Sequence, residues 1–156
     1  MSLPTYAYRI VTADVTVRTS FAVASLRFNY QTSLRAQITS NTLYGSDYFS
    51  IGGRYTVRGF DGRHALGAER GVTLRNDLSA PILKTSQSLY VALDGGYVSG
   101  PASHYNSGST LAGGALGLRG GWRWFYYDAT VGCPLYKPSG LHTARVTWTA
   151  QAGMQF

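Results

Sequence analysis

The chain has 156 residues, enough for one domain, and only 13% of them are charged, about half the share usual for a soluble globular domain. Glycine and tyrosine are frequent, with 19 and 12 residues, and this composition favours many short strands and turns. The formal net charge is +7, but the arginines are scattered without a basic run, so nucleic-acid binding is not indicated and a basic pore lumen explains the charge equally well.

The first predicted elements are strands at 6–18 and 24–39. Residues 1–3 look like a cloning remnant, so the fold prediction treats 4–156 as one unit. Successive side chains of a strand point to opposite faces, and the second strand therefore has one largely apolar and one polar surface. The apolar surface consists of Leu26, Phe28, Tyr30, Thr32, Leu34 and Ala36, and the polar one of Arg27, Asn29, Gln31, Ser33, Arg35 and Gln37. The polar surface, with its two arginines, suits a water-filled lumen.

The segment 41–66 follows without a clear strand pattern, and a connection of this length is normally functional or disordered. It contains the run Gly-Gly-Arg-Tyr-Thr-Val-Arg-Gly-Phe-Asp-Gly, which ends at Gly62. This run resembles the signature of outer-membrane β-barrels that secrete or assemble proteins, and it is most similar to that of the two-partner secretion transporters, or haemolysin activator/secretion proteins. In that family the motif lies at the tip of a long loop that folds back into the barrel lumen. The resemblance implies that the lumenal tip consists of Val57, Arg58, Gly59 and Phe60.

The third predicted strand, 67–80, resembles the twelfth strand of that family, which commonly ends in Leu-Arg-Asn-Glu-Leu. Here Asp77 replaces the glutamate, so the charge is kept and the reach is shorter. Arg75 and Asp77 share the polar face. Two interpretations stay open: the pair contacts the loop, or it lines the lumen without a specific role.

The fourth predicted strand, 87–98, places Asp94 on the face opposite Val91 and Leu93. An aspartate on a lipid face would be costly, so Asp94 is expected to face the lumen. In the family the motif arginine pairs with an aspartate of the thirteenth strand, and Asp94 is the matching position. The resemblance therefore implies an Arg58–Asp94 ion pair on the barrel wall; the alternative is a solvated arginine and an aspartate without a partner.

A Gly/Ser/Asn-rich surface loop at 98–109 precedes strands at 110–121 and 123–134. Pro134 cannot donate to a ladder and is expected to end strand pairing there. Cys133 falls on the apolar face, and as the single cysteine it cannot form an intramolecular disulfide.

The last predicted strand, 143–156, alternates most regularly and ends on Phe156. Its apolar face consists of Val146, Trp148, Ala150, Ala152, Met154 and Phe156. Outer-membrane barrels commonly end on an aromatic residue that the assembly machinery reads, and the resemblance implies this role for Phe156.

Catalytic and metal-binding patterns are not found in the sequence. His64, His104 and His142 are far apart along the chain, and there is no zinc spacing, nucleophile elbow or phosphate loop. No apolar run approaches the roughly 20 residues of a membrane helix. The prediction is a protein that is not an enzyme and needs no cofactor or metal.

Seven strands are an unusual number, since bacterial single-chain barrels have an even count of about 8 to 26. The family barrel has sixteen strands, and its motif loop joins the eleventh and twelfth. Counted back from Phe156, the seven strands become the tenth to sixteenth, and the motif loop takes the required place. The predicted fold is an all-β antiparallel meander, the C-terminal seven strands of a sixteen-stranded transmembrane β-barrel in the bacterial outer membrane.

The function implied by the resemblance is translocation of a large secreted partner protein, such as a haemolysin or adhesin, with outer-membrane lipid and the barrel-assembly machinery as further partners. Two alternatives keep the barrel: an outer-membrane protein-assembly barrel, or the barrel of a fused secreted lipase. An alternative of another class is a soluble glycan-binding β-sandwich, which also uses alternating, tyrosine-rich strands.

Overall fold

A computed structural model describes residues 7–82 and 85–154. The strands are β1 (Val11–Val23), β2 (Leu26–Ile38), β3 (Phe49–Ile51), β4 (Leu66–Ala68), β5 (Arg70–Pro81), β6 (Gln87–Ser99), β7 (Thr110–Trp122), β8 (Phe125–Tyr136) and β9 (Thr147–Met154). Seven of them form one antiparallel sheet in the order β1-β2-β5-β6-β7-β8-β9, and β3 pairs with β4 separately. The seven long strands thus form the predicted meander and not the two stacked sheets of a sandwich.

The two faces of the seven-stranded sheet differ in chemistry. The outer face carries exposed apolar side chains on every long strand, among them Val15, Leu34, Leu74, Leu93, Leu116, Leu135 and Trp148. The inner face carries Asp77 and Asp94, and the long connection after β2 packs against it. Within the described ranges, no helix is long and apolar enough to span a membrane.

The number and order of the long strands match the prediction, but the bounds of β1 were wrong. It begins at Val11 because side chains from beyond β2 bind the backbone of Arg9: its N–H donates to Asn41 Oδ1 at 3.1 Å, and its carbonyl accepts from Thr39 Oγ1 at 2.6 Å. It extends to Val23, which pairs with Leu26, because the turn occupies only two residues. Ala24 makes this turn with a φ of 54°.

The strand β9 begins at Thr147 and not at 143. Residues 143 and 144 bind the loop residue Asp61 instead of extending the ladder: the N–H of Asp61 donates to Thr143 Oγ1 at 3.3 Å, and the N–H of Ala144 donates to Asp61 Oδ2 at 3.1 Å. The proposed assembly signal, Phe156, and residues 1–3 lie outside the described residues.

The prediction that Pro134 ends strand pairing is wrong for the β7 side of β8. On the β9 side, the last pair is Gly132 with Thr147. On the β7 side, Pro134 pairs with Gly113, the register then shifts, and the ladder continues to the pair of Ala112 with Tyr136. A bulge and a free strand edge are the two settings in which a sheet tolerates a missing N–H.

The segment 41–66 is folded, although its sequence shows no strand pattern. It contains a 3₁₀ turn at Gly45–Asp47 and most of the short hairpin β3–β4. Two strands of three residues are too short to show periodicity, and burial supplies their stability. The core around them consists of Phe49, Ile51, Val57, Phe60, Leu66, Ala68, Val98, Ala102, Leu111 and Leu141.

The connection between β6 and β7 contributes to that core and is only partly the surface loop that was predicted. It forms a 3₁₀ helix at Pro101–Tyr105, and Ala102 in this helix is buried. Asn106 Nδ2 donates to the carbonyl of Gly67 at 2.9 Å, which fixes the helix to β4. Together these contacts pack the segment 41–66 against the connection between β6 and β7.

Candidate functional site

The motif loop, defined here as residues 52–62, turns back along the inner face of the sheet. Glycines with positive φ begin, bend and end it: Gly52 at 114°, Gly59 at 95° and Gly62 at 76°. Thr56 closes its first turn, because its Oγ1 accepts the N–H groups of Gly52 and Gly53, both at 3.2 Å. The loop therefore carries its arginine on a backbone that is already constrained.

Arg58 binds Asp94 of β6 through three hydrogen bonds. Its Nε donates to Oδ2 at 2.6 Å, its Nη2 donates to Oδ1 at 2.7 Å, and its backbone N–H donates to Oδ2 at 3.0 Å. The Asp94 side chain is 0% exposed and that of Arg58 is 10% exposed. This is the bidentate geometry in which arginine binds a carboxylate most strongly. The structure thus brings Arg58 and Asp94 into direct contact.

Asp77 of β5 is a second acidic partner for the same guanidinium. Its Oδ1 accepts from Arg58 Nη1 at 2.8 Å, and its Oδ2 accepts from Nη2 at 3.3 Å. Of the two interpretations of Asp77, the loop contact is the one seen in the structure. Arg75 lies 3.6 Å from Asp94 Oδ2 through its Nε, and its Nη1 donates to the carbonyl of Tyr55 at 3.2 Å. Arg75 thus also contacts the loop.

The protonation of Arg58 is fixed by these neighbours. Burial lowers the pKa of the guanidinium, but the hydrogen bonds to Asp94 and then to Asp77 raise it by more, so the pKa of Arg58 lies above its ordinary value. The two arginines and two aspartates together carry no net charge. A compensated cluster of this kind can be buried, whereas removal of one member leaves an unpaired charge.

Three glycines of successive strands lie beneath the motif loop. A Cβ on Gly96 of β6 would lie 2.9 Å from Val57 Cγ2, a Cβ on Gly113 of β7 would overlap the carbonyl oxygen of Arg58, and a Cβ on Gly132 of β8 would lie 3.0 Å from the Cα of Gly59. The loop crosses the strands, so that Val57, Arg58 and Gly59 meet the three glycines in turn. Because these glycines have no side chain, the loop backbone packs directly against the strands.

The apolar residues of the motif are buried on either side of Arg58. Val57 is 0% exposed and Phe60 is 4% exposed, and both belong to the core of the long loop. Phe60 packs against β7 at Gly113. Gly59 has the positive φ expected of a tight tip, and a side chain on it would clash with the backbone of Cys133.

Beside Arg58, the inner face forms a cavity of about 290 Å³. It is lined mainly by polar side chains: Gln31, Ser33, Arg54, Tyr55, Arg58, Arg75, Asp77, Tyr90, Arg119, Asp128, Thr130, Thr149 and Gln151. Tyr90 is central to it, since its hydroxyl donates to Asp128 Oδ1 at 2.8 Å and also contacts the hydroxyl of Thr130. The guanidinium of Arg119 lies 4.3 Å from the centre of the Tyr90 ring.

Sequence reasoning missed this polar network. The strand periodicity places Tyr90, Arg119 and Asp128 on the inner face, so the signal was present. The strand register was not predicted from the sequence. The pairing of Arg119 with Asp128 and of Tyr90 with Gly117 is what brings these side chains together.

Asp61, just after the motif, links the loop to the β8–β9 connection. The N–H of Arg63 donates to its Oδ1 at 3.1 Å, and the N–H of Ala144 donates to its Oδ2. The bond from Arg63 is the main cause that lowers the pKa of Asp61; burial opposes it, and the bond from Ala144 lowers the pKa further.

Glu69 is a buried acid that the sequence did not indicate. It is 1% exposed, its Oε2 accepts the N–H of Ala102 at 3.1 Å, and its Oε1 has no hydrogen-bond partner among the described residues. It joins the start of β5 to the 3₁₀ helix between β6 and β7.

Metal ligands do not converge in the part of the chain that is described, 7–82 and 85–154, where no group of three His, Cys, Asp or Glu side chains has suitable spacing. His64 and His142, which are distant in sequence, do approach each other, with 6.5 Å between ring centres. Cys133 is an exposed free thiol on the outer face.

Several bacterial proteins are similar to this chain in sequence along most of its length. The chain is 41% identical over 156 residues to the outer membrane transporter CdiB-2 of Burkholderia pseudomallei (strain 1026b), covering 97% of the chain and 27% of the relative. It is 32% identical over 132 residues to the outer membrane transporter CdiB of Dickeya dadantii (strain 3937), covering 81% and 23%. The chain thus spans about a quarter of the length of these relatives.

Two solved structures are similar to this chain in fold. The structure of CdiB from Acinetobacter baumannii superposes with a TM-score of 0.86 at 32% identity, over 93% of this chain and 27% of that one. CdiB from Escherichia coli superposes with a TM-score of 0.77 at 29% identity, over 97% and 29%. A family model described as haemolysin secretion/activation protein ShlB/FhaC/HecB matches residues 1–120. The chain therefore belongs to the haemolysin secretion/activation protein family ShlB/FhaC/HecB.

Proposed function

We propose that this chain forms wall strands and the lumenal loop of an outer-membrane barrel that translocates a large partner protein in two-partner secretion. The observation that carries the proposal is the binding of Arg58 to Asp94 and Asp77, which fixes the motif loop across the wall. The relatives are named outer membrane transporters. The docked loop occupies space on the inner face, so we propose that it controls how much of the conduit is open.

The distribution of polarity supports a conduit on the inner face. Polar side chains such as Gln31, Thr149 and Gln151 line the cavity beside Arg58, while the outer face is apolar. An unfolded polypeptide in transit exposes both backbone and side-chain polar groups, which a wetted polar wall accommodates. The outer face is the surface that we assign to lipid.

The remaining assignments belong to the same proposal. The secreted partner is a protein of the haemolysin or adhesin kind, the barrel is inserted by the assembly machinery with Phe156 as its signal, and transport uses no catalytic step or cofactor of this chain.

A loop-release assay tests the proposal in the full-length transporter that carries this segment. Val57 is fully buried, so a thiol introduced by Val57→Cys in a Cys133→Ser background reacts with a maleimide only when the loop leaves the wall. Arg58→Ala removes the bidentate partner of buried Asp94, an effect of about 3–5 kcal/mol for a buried pair. We expect faster thiol labelling and reduced secretion, with the barrel still inserted.

The ion pair itself is tested by a double-mutant cycle of Arg58→Ala and Asp94→Ala, read by secretion and by thiol labelling. Coupled residues give non-additive losses. Fully additive losses would disprove the pairing, and normal secretion by both Arg58→Ala and Phe60→Ala would refute the assignment of the loop.

A further inference from the structure

Asn76 is a polar residue on the apolar outer face of β5. It lies between Leu74 and Leu78, which are 44% and 39% exposed, and it pairs across the ladder with Leu93 of β6. An amide on an apolar face is costly unless its hydrogen bonds are satisfied. The hydrogen bonds of the Asn76 side chain therefore decide whether this position is favourable.

The side chain of Asn76 joins three strands. Its Oδ1 accepts from the Tyr30 hydroxyl of β2 at 2.7 Å, and its Nδ2 donates to the carbonyl of Leu93 at 3.0 Å. Tyr30 pairs directly with Leu78, so it reaches Asn76 along the diagonal of the ladder. The amide is thus satisfied on both sides, and the carbonyl it binds immediately precedes Asp94.

The backbone of the same residue contacts the buried ion pair on the opposite face. The N–H of Asn76 donates to Asp94 Oδ1 at 3.4 Å, and its carbonyl accepts from Arg58 Nη2 at 3.3 Å. Its neighbours in the chain are Arg75 and Asp77, both of which contact the loop. Asn76 therefore connects the outer face to the site that holds the loop.

We propose that Asn76, braced by Tyr30, is a positioning residue for the motif loop. By fixing β5 against β6 beside Asp94, it sets the separation at which one guanidinium reaches Asp77 and Asp94 together. Two carboxylates on different strands can bind one planar fork only within a narrow range of separations. The inference rests on the proposed docking of the loop by Arg58, and it assigns a role to Asn76, whose side chain lies on the opposite face.

The experiment uses the full-length transporter and the loop-release assay. Asn76→Leu removes both side-chain hydrogen bonds at similar size, and we expect thiol labelling to become roughly tenfold faster, since each lost hydrogen bond changes an equilibrium about two- to tenfold. Tyr30→Phe removes one of them and should have a smaller effect in the same direction. Tyr97→Phe, on a half-exposed outer-face tyrosine of β6, is the matched control and should have none.

The decisive measurement repeats Asn76→Leu in an Arg58→Ala background. A residue that acts through Arg58 adds nothing once the arginine is gone, whereas a residue that only stabilises the wall adds the same effect in both backgrounds. Equal effects, or no effect of Asn76→Leu in the parent, would overturn the inference. If Asn76→Leu does not insert, the same comparison is made with Tyr30→Phe. Failure of Arg58→Ala to release the loop would count against the proposed function instead.

Discussion

A single oxygen of Asp94, Oδ2, accepts both the backbone N–H and the side-chain Nε of Arg58, at 3.0 and 2.6 Å. The carboxylate therefore binds the loop backbone as well as the guanidinium. This dual contact fixes where the backbone of Arg58 lies relative to β6. A longer or shorter residue at either position would shift the loop even if the charges were kept.

Arg58→Lys is therefore expected to behave almost like Arg58→Ala. A lysine keeps the positive charge but offers one ammonium in place of a planar fork, so it cannot serve both oxygens of Asp94 and also Asp77. We expect thiol labelling in the loop-release assay to approach the rate of Arg58→Ala. Labelling at the parent rate would mean that charge alone holds the loop.

The two acidic partners are expected to contribute unequally. The Asp94 side chain is fully buried, whereas that of Asp77 is 17% exposed and water can replace part of its contact. Asp94→Asn should therefore release the loop more than Asp77→Asn, by a margin of about 1–2 kcal/mol. The loop-release assay on the two variants, with Asp14→Asn on exposed β1 as control, measures the difference; a larger effect at Asp77 would contradict it.

A methyl group at Gly113 is expected to displace the loop. Its Cβ would overlap the carbonyl oxygen of Arg58, and overpacking of this kind costs about 1–3 kcal/mol. Gly95→Ala is the matched control, because the nearest atom to its Cβ is 4.0 Å away. Thiol labelling should accelerate for Gly113→Ala alone.

A loop deletion separates this clash from a defect of the strand. In a transporter that lacks residues 56–61, Gly113→Ala should no longer lower the thermal midpoint of the barrel, measured by heat-dependent gel mobility. A penalty that persists without the loop would show that β7 itself rejects the methyl group.

Acid is expected to loosen the link between Asp61 and the β8–β9 connection. The folded pKa of Asp61 is lowered below the ordinary value of 3.8, so its carboxylate contributes stability above that pH, and the contribution is lost as the pH falls through the folded pKa. A spin label at Arg145→Cys in a Cys133→Ser background should gain mobility below about pH 4. With Asp61→Asn the label should be mobile at every pH; an unchanged acid transition in that variant would assign it to another group.

Glu69→Gln is expected to be neutral or stabilising. The glutamine keeps an acceptor for the Ala102 N–H and replaces a buried carboxyl group whose second oxygen has no hydrogen-bond partner in the described part of the chain. Glu69→Ala, which leaves that N–H unpaired, should destabilise by about 1–3 kcal/mol. Thermal midpoints of the two full-length variants test this, and a large loss in Glu69→Gln would indicate that the charge itself is required.

The sequence by itself determined the number and order of the seven long strands and the side of the sheet that their residues face. Period-two alternation is a local property, so it placed Asp94 and Asp77 on one face without knowledge of the fold. The motif added Arg58 through its family resemblance. The approximate bounds of five strands also followed from turn residues, while β1 and β9 were displaced because loop side chains bind their ends.

Only the tertiary structure decided which residues meet on the inner face. The crossing of the loop over Gly96, Gly113 and Gly132 depends on the register of two strand pairs, β6–β7 and β7–β8, and no single segment contains that information. The same holds for the contact of Asn76 with both faces and for the buried Glu69. Hydrogen bonds and close packing act over a few ångströms in space, and residues far apart in the chain meet at that distance only after the sheet has formed.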